Sequence, residues 1–218
     1  MPFRLLLSTA IALALTAAPA AAATLSALKP CYVSAGRADE RRETITVSGD
    51  SFTPESTVEV LIDGKVVGSA PTGTVGEFEF FVPAPFQKRG EKAFTVTARD
   101  AVSAVTLQSR VTNLAVFVRP KTARPSRRVR FRGRGFMLDA PVYAHYLYGG
   151  REEKTVRLAR RTSGPCGTFK VKRRQIPIDN PRTGRWVVQI DQHKAYSEQP
   201  DPVLVRLPID VREVLPRD

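Results

Sequence analysis

Val47-Ser48-Gly49-Asp50-Ser51-Phe52 and Phe131-Arg132-Gly133-Arg134-Gly135-Phe136 carry one pattern: apolar, polar, glycine, charged, small, phenylalanine. Val58 and Val142 extend the match at the same offset. Further on, Gly76-Glu77-Phe78 answers Gly167-Thr168-Phe169, Val82-Pro83 answers Ile176-Pro177, and Gly90 before Phe94-Thr95-Val96 answers Gly184 before Trp186-Val187-Val188. Several short matches in one order indicate an internal duplication, with loop insertions in the second copy.

Between the matched points apolar and polar residues alternate with a period of two, which is the signature of half-buried strands. In the first copy Ile45 and Val47 share one face, then Val58, Val60 and Ile62, then Phe78 and Phe80, then Phe94, Val96 and Ala98. Val105-Leu107 and Leu114-Val116-Val118 complete this set, and Asp63-Gly64 offers a tight hairpin turn. The second copy reads as Val129-Phe131, Val142 to Tyr148 before Gly149-Gly150, Val156-Leu158, Phe169-Val171, Trp186 to Ile190 and Val203 to Val211. The expected fold is all-β: two tandem immunoglobulin-like antiparallel sandwiches, over residues 24–117 and 118–218, joined near Val118-Arg119-Pro120 without a flexible linker.

Residues 1–23 read as a signal peptide: Arg4, an apolar run from Leu5 to Ala18, then Pro19-Ala20-Ala21-Ala22-Ala23. That run is short for a membrane span, and no second apolar segment follows, so the expected location is extracytoplasmic, at the cell surface or beyond it. The two cysteines, Cys31 and Cys166, fall one in each copy. In an oxidising compartment they would pair within the chain and hold the copies together, contributing about 4 to 5 kcal/mol through loop closure. Two free thiols or a bridge between chains are the alternatives.

The net charge of +13 is unevenly placed: residues 1–118 hold 11 basic and 11 acidic side chains, residues 119–218 hold 23 and 10. Arg128, Arg130, Arg132 and Arg134 occupy every second position, which on a strand sends all four to one face and leaves Val129 and Phe131 for the core. Arg173 and Arg174 are expected to join them, and Arg119, Lys121, Arg124, Arg127, Arg157, Arg160, Arg161, Lys170 and Lys172 are further candidates. Such a face attracts polyanions through counterion release and bidentate arginine contacts. The chain shows neither a recognition helix nor an array of aromatics for stacking bases, so specific nucleic-acid binding is not expected.

Catalytic signals are sparse. No Gly-x-Ser-x-Gly motif occurs, and the two histidines, His145 and His193, read as surface or edge-strand residues unless the fold joins them to Asp191 as metal ligands. Glu152-Glu153 and Asp39-Glu40 read as solvated turn residues, and at least one of Tyr143, Tyr146 and Tyr148 is expected at the surface. No cofactor and no metal is expected.

The run Thr46 to Pro54, followed by Val58-Glu59-Val60, the Asp-Gly turn, Gly76-Glu77-Phe78 and Val82-Pro83, resembles the Ig-like repeats of bacterial envelope proteins, including the IPT/TIG-like sandwiches. Gly164 to Phe169 and Gly184-Arg185-Trp186 with Gln189 to Gln192 resemble secreted actinobacterial proteins. The resemblance implies fold and location and transfers no catalytic residue. The expected function is therefore a non-enzymatic envelope protein whose second half meets an anionic surface polymer or a surface protein. The alternatives are a carbohydrate- or protein-binding adhesion module using the Tyr143 to Tyr148 strand or a sheet edge, and a hydrolase using an unrecognised acid pair or metal.

Overall fold

The computed structural model describes residues 22–121, 123–198 and 204–212; nearly all of the expected signal peptide lies outside them. The first strands are β1 (Thr24–Leu25), β2 (Tyr32–Ser34), β3 (Thr44–Asp50), β4 (Thr57–Ile62), β5 (Lys65–Pro71), β6 (Phe78–Pro83), β7 (Glu91–Arg99) and β8 (Ala104–Asn113). They are followed by β9 (Ala115–Arg119), β10 (Arg128–Arg134), β11 (Val142–Tyr148), β12 (Arg151–Ala159), β13 (Phe169–Arg174), β14 (Gly184–Asp191) and β15 (Val205–Val211).

The strands form four sheets, ordered β1-β3-β6, β2-β8-β7-β4-β5, β9-β10-β13 and β12-β11-β14-β15. Residues from the first two, among them Ile45, Val47, Val58, Phe78, Phe94 and Val96, fill one buried cluster. Residues from the last two, among them Val129, Phe131, Tyr146, Leu158, Phe169 and Trp186, fill another. The chain is thus all-β, and its strand order repeats: β3, β4, β5, β6, β7 and β8 pair among themselves as β10, β11, β12, β13, β14 and β15 do. Among the described residues only β2 runs parallel to its neighbour, β8.

The repeated sequence pattern has a steric cause. Gly49 pairs with Phe78 across β3 and β6, and Gly133 pairs with Phe169 across β10 and β13. In each case a Cβ on the glycine would meet the phenylalanine ring. Those rings pack edge-on against Phe52 and Phe136, at centroid distances of 5.2 and 5.3 Å. Gly76 and Gly167, with φ of 81° and 54°, turn the chain into β6 and β13. A Cβ at either would press into the backbone of Phe52 or Phe136, whose N–H groups donate to the glycine carbonyls at 3.1 and 3.3 Å. Glycine is required here for space as well as for its left-handed φ.

The Asp63-Gly64 turn joins β4 to β5 with both residues at positive φ, 48° and 77°, the requirement of a two-residue hairpin turn matched to strand twist. Gly149-Gly150 does the same between β11 and β12, at 58° and 83°.

Two organisational details differ from the sequence reading. Leu114, Val116 and Val118 do not complete the first set of strands: β9 pairs with β10, and these three side chains pack into the second cluster. The join expected at Val118-Arg119-Pro120 therefore falls at the end of β9, and Leu114 alone separates β8 from β9. The unbroken apolar alternation conceals the change of sheet because no glycine or proline marks it. Glu152 and Glu153 also lie within β12, not in a turn.

Cys31 and Cys166 form a disulfide with a Cα–Cα distance of 5.1 Å across 135 residues of sequence. Cys31 precedes β2, whereas Cys166 is buried in the loop before β13, where its carbonyl accepts from the Gly135 N–H at 2.9 Å. The bridge and the β8–β9 passage tie the two sheet pairs at two places. No helix among the described residues is long and apolar enough to cross a membrane.

Candidate polyanion-binding face

β10 is the middle strand of its sheet. Val129, Phe131 and Gly133 point into the core, and Arg128, Arg130 and Arg132 are exposed on the outer side with the half-buried Arg134. Antiparallel register sets Arg174 opposite Arg128, Lys172 opposite Arg130 and Lys170 opposite Arg132 on β13. On the other flank Arg119 stands opposite Arg130, and Phe117 opposite Arg132. Directly opposed residues share a sheet face, so eight cations occupy one side of three adjacent strands.

Acidic neutralisation is nearly absent on this face. Among the described residues the only ion pair to these cations is Arg174 to Asp179 at 3.4 Å, between two exposed side chains. Arg128 instead donates to the Lys172 carbonyl at 3.3 Å. At the far end Phe117, 49% exposed, carries the Arg134 guanidinium 5.2 Å from its ring centroid. The Arg134 Nε is buried without a partner. A groove of about 600 Å³ opens there, lined among others by Phe117, Arg119, Arg132, Arg134, Thr168 and Lys170.

The structure sorts the basic residues named from sequence. Arg128, Arg130, Arg132, Arg134 and Arg174 converge. Arg173 does not share their face: it pairs with Val129, on the core-side parity, and is exposed only because β13 ends there. Arg157 is on β12 of the other sheet, and Arg160 and Arg161 follow that strand. The contributions of Lys170, Lys172, Arg119 and Phe117 depend on cross-strand register, which no local pattern reveals.

The first copy supplies an internal comparison. Thr44, Thr46, Ser48 and Asp50 stand on the outer face of β3 as Arg128, Arg130, Arg132 and Arg134 stand on β10, with the same burial alternation. The fold therefore does not require arginine at these places.

His145 proves to be neither a surface nor an edge residue. It lies on β11, between β12 and β14, and is fully buried. Its Nε2 lies 3.2 Å from both the Asp191 carboxylate and the His193 carbonyl, and its Nδ1 lies 2.5 Å from the Thr155 hydroxyl and 3.4 Å from Glu152. Asp191 also accepts from the Gln189 amide at 3.0 Å and from the His193 N–H at 2.9 Å. Burial opposes protonation of His145, but the hydrogen bond and charge of Asp191, with those of Glu152, outweigh it and raise its pKa. Burial likewise opposes ionisation of Asp191, and the bonds from His145, Gln189 and His193 overcome it and lower its pKa. This network cross-links β11, β12 and β14. His193 reaches it through its backbone, and the described residues hold no group of three or more His, Cys, Asp or Glu side chains placed to hold a metal. Tyr146 is buried and Tyr143 and Tyr148 are half-buried, so none of the three is fully presented to solvent. The Tyr148 hydroxyl donates to the Thr183 carbonyl at 2.8 Å, and its ring lies 5.1 Å from that of Trp186.

The chain matches no protein-family model and no curated protein. Similar solved structures include tandem Ig domains of titin, at 13% identity and a TM-score of 0.29, covering 87% of this chain and 95% of that one. The human OSCAR ligand-binding domain gives 11% and 0.32, covering 87% and 97%. A tetra-tandem repeat from a large adhesion protein gives 14% and 0.30, covering 87% of this chain and 48% of that one. Similarity at this level leaves the architecture to be read from the strand pairings themselves.

Proposed function

We propose that the protein is an extracytoplasmic interaction protein of two Ig-like sandwiches, in which the outer face of β9, β10 and β13 binds anionic polymers of the cell envelope. The observation that carries this reading is the contrast within the duplication: the same strand positions hold Thr44, Thr46, Ser48 and Asp50 in one copy and four arginines in the other. Concentrating unneutralised like charge on one sheet face costs self-repulsion, and a polyanion relieves it by releasing its counterions. The first copy then serves as a neutral spacer, and the disulfide fixes how the basic face is presented. The resemblance of the Thr46 to Pro54 run to bacterial envelope repeats supports the location.

The test is retention on isolated cell envelopes at low and high salt, comparing the wild type with R128T/R130T/R132S/R134D. These substitutions install the first copy's residues, which the same strand geometry already accommodates. Retention lost in high salt and in the variant supports the reading; retention unchanged by both refutes it.

A further inference from the structure

Resting on that reading of the face, the geometry points to one ligand chemistry: an extended polyol-phosphate chain lying along β10, with one phosphate at each cationic rung. Alternate residues of an antiparallel strand repeat every ~6.8 Å, and neighbouring strands lie ~4.8 Å apart. Arg128 with Arg174, Arg130 with Lys172 and Arg119, and Arg132 with Lys170 therefore make successive rungs, and Arg134 beside Phe117 makes the last. Each of the first three rungs is wide enough to straddle one phosphate, and arginine grips its oxygens bidentately.

In a polyol phosphate with three carbons between ester oxygens, six bonds separate successive phosphorus atoms. At ordinary bond lengths and angles an extended run of that kind spans about 7 Å, in step with the rungs. A polyuronate places one carboxylate on each sugar ring. Its charges recur either at the shorter repeat of one ring on alternating sides or at two rings on the same side, and both fall out of step. A single-stranded nucleic acid has a comparable backbone but needs aromatic surfaces for its bases. Phe117 is the only exposed aromatic on this face among the described residues, and Arg134 already covers its ring.

The groove at the Arg134 end suits the polyol. The Ser163 and Thr168 hydroxyls on its wall donate to each other's backbone carbonyls, at 3.4 and 3.0 Å, which leaves their lone pairs to accept from polyol hydroxyls. The Arg134 guanidinium, held over the Phe117 ring, lines the same end of the groove.

The experiment is a titration of the intact, disulfide-bonded protein with poly(glycerol phosphate) oligomers of increasing length, polygalacturonate, and oligothymidylate of equal phosphate number. Affinity for glycerol phosphate oligomers is expected to climb steeply up to about four phosphates and only statistically beyond. Four contacts at roughly 0.7 counterions each give a roughly 50-fold loss of affinity between 50 and 200 mM salt. R119T/R130T/R132S/K170T/K172T, which clears both middle rungs, is expected to halve the slope of log affinity against log salt. Equal affinity for polygalacturonate at matched charge overturns the spacing match while leaving polyanion binding in place. Tighter binding of oligothymidylate overturns the choice of polyol, and failure of all three probes to bind overturns the polyanion reading itself.

Discussion

Gly167→Ala tests whether the repeated glycine is required by space or only by backbone conformation. Its φ of 54° makes any L side chain pay about 1–2 kcal/mol for the left-handed region. Gly150 offers the matched control: its φ is 83°, yet nothing lies within 4 Å of a Cβ placed there. Gly150→Ala should therefore cost about 1–2 kcal/mol. At Gly167 the added methyl also meets the Phe136 carbonyl, and such overpacking adds about 1–3 kcal/mol because β13 or the Phe136 segment has to move. Urea unfolding followed by the fluorescence of Trp186, the single tryptophan and a member of the same buried cluster, reads both variants with one probe. With a denaturant slope of about 1.5 kcal/mol/M, the midpoint should fall by about 1 M for Gly150→Ala and about 2 M or more for Gly167→Ala. Equal shifts would refute the steric account of the repeat.

Removing the disulfide by Cys31→Ser frees a loop spanning 135 residues, a loss of about 5 kcal/mol on the chain-entropy scale, and the urea midpoint of the reduced or mutated protein should drop accordingly. Asp191→Asn withdraws the carboxylate from the buried His145 and should cost about 2 kcal/mol. The lowered Asp191 pKa gives stability that is present above the unfolded carboxylate range and lost as pH falls through the folded value. The raised His145 pKa gives stability that is present below its unfolded value near 6.5 and lost as pH rises through the folded one. The difference between wild type and Asp191→Asn in a pH series of urea midpoints should thus be greatest between about pH 4 and 6.5. Asp100 is partly desolvated, which opposes its ionisation, but it accepts from the Thr53, Val102 and Ser103 N–H groups and its pKa falls to about 2. Its contribution should persist down to about pH 4 and disappear toward pH 2, a step that Asp100→Asn abolishes in the same series.

The alternation of Ile45, Val47, Val58, Val60, Phe94 and Val96 was sufficient to place the first core, because one sheet face in water and one in the interior enforce a period of two. β11 violates that rule: Ala144, His145, Tyr146 and Leu147 are all buried. On its outer side the segment after β14 folds over it, bringing the His193 carbonyl to His145 and the Tyr196 ring within 5.8 Å of the imidazole. That cover comes from residues distant in sequence, so nothing near His145 announces it. The four arginines of β10 were legible for the opposite reason, since their common face follows from the strand period alone. Which of the other basic residues stand beside them on β13 and β9 was not, because that follows from the cross-strand register seen in the Gly133–Phe169 and Gly133–Val116 pairings.

The most direct measurement is a reciprocal exchange of the outer residues of β3 and β10, read as affinity for a polyanion at two salt concentrations. R128T/R130T/R132S/R134D should weaken binding sharply and flatten its salt dependence, while Trp186 fluorescence stays at the wild-type value and the urea midpoint does not fall below it. Adding T44R/T46R/S48R/D50R to that variant should restore part of the electrostatic attraction without the Lys170, Lys172 and Arg174 partners, leaving a weaker site. Undiminished binding by the first variant, with the fold intact, would contradict the assignment of this face.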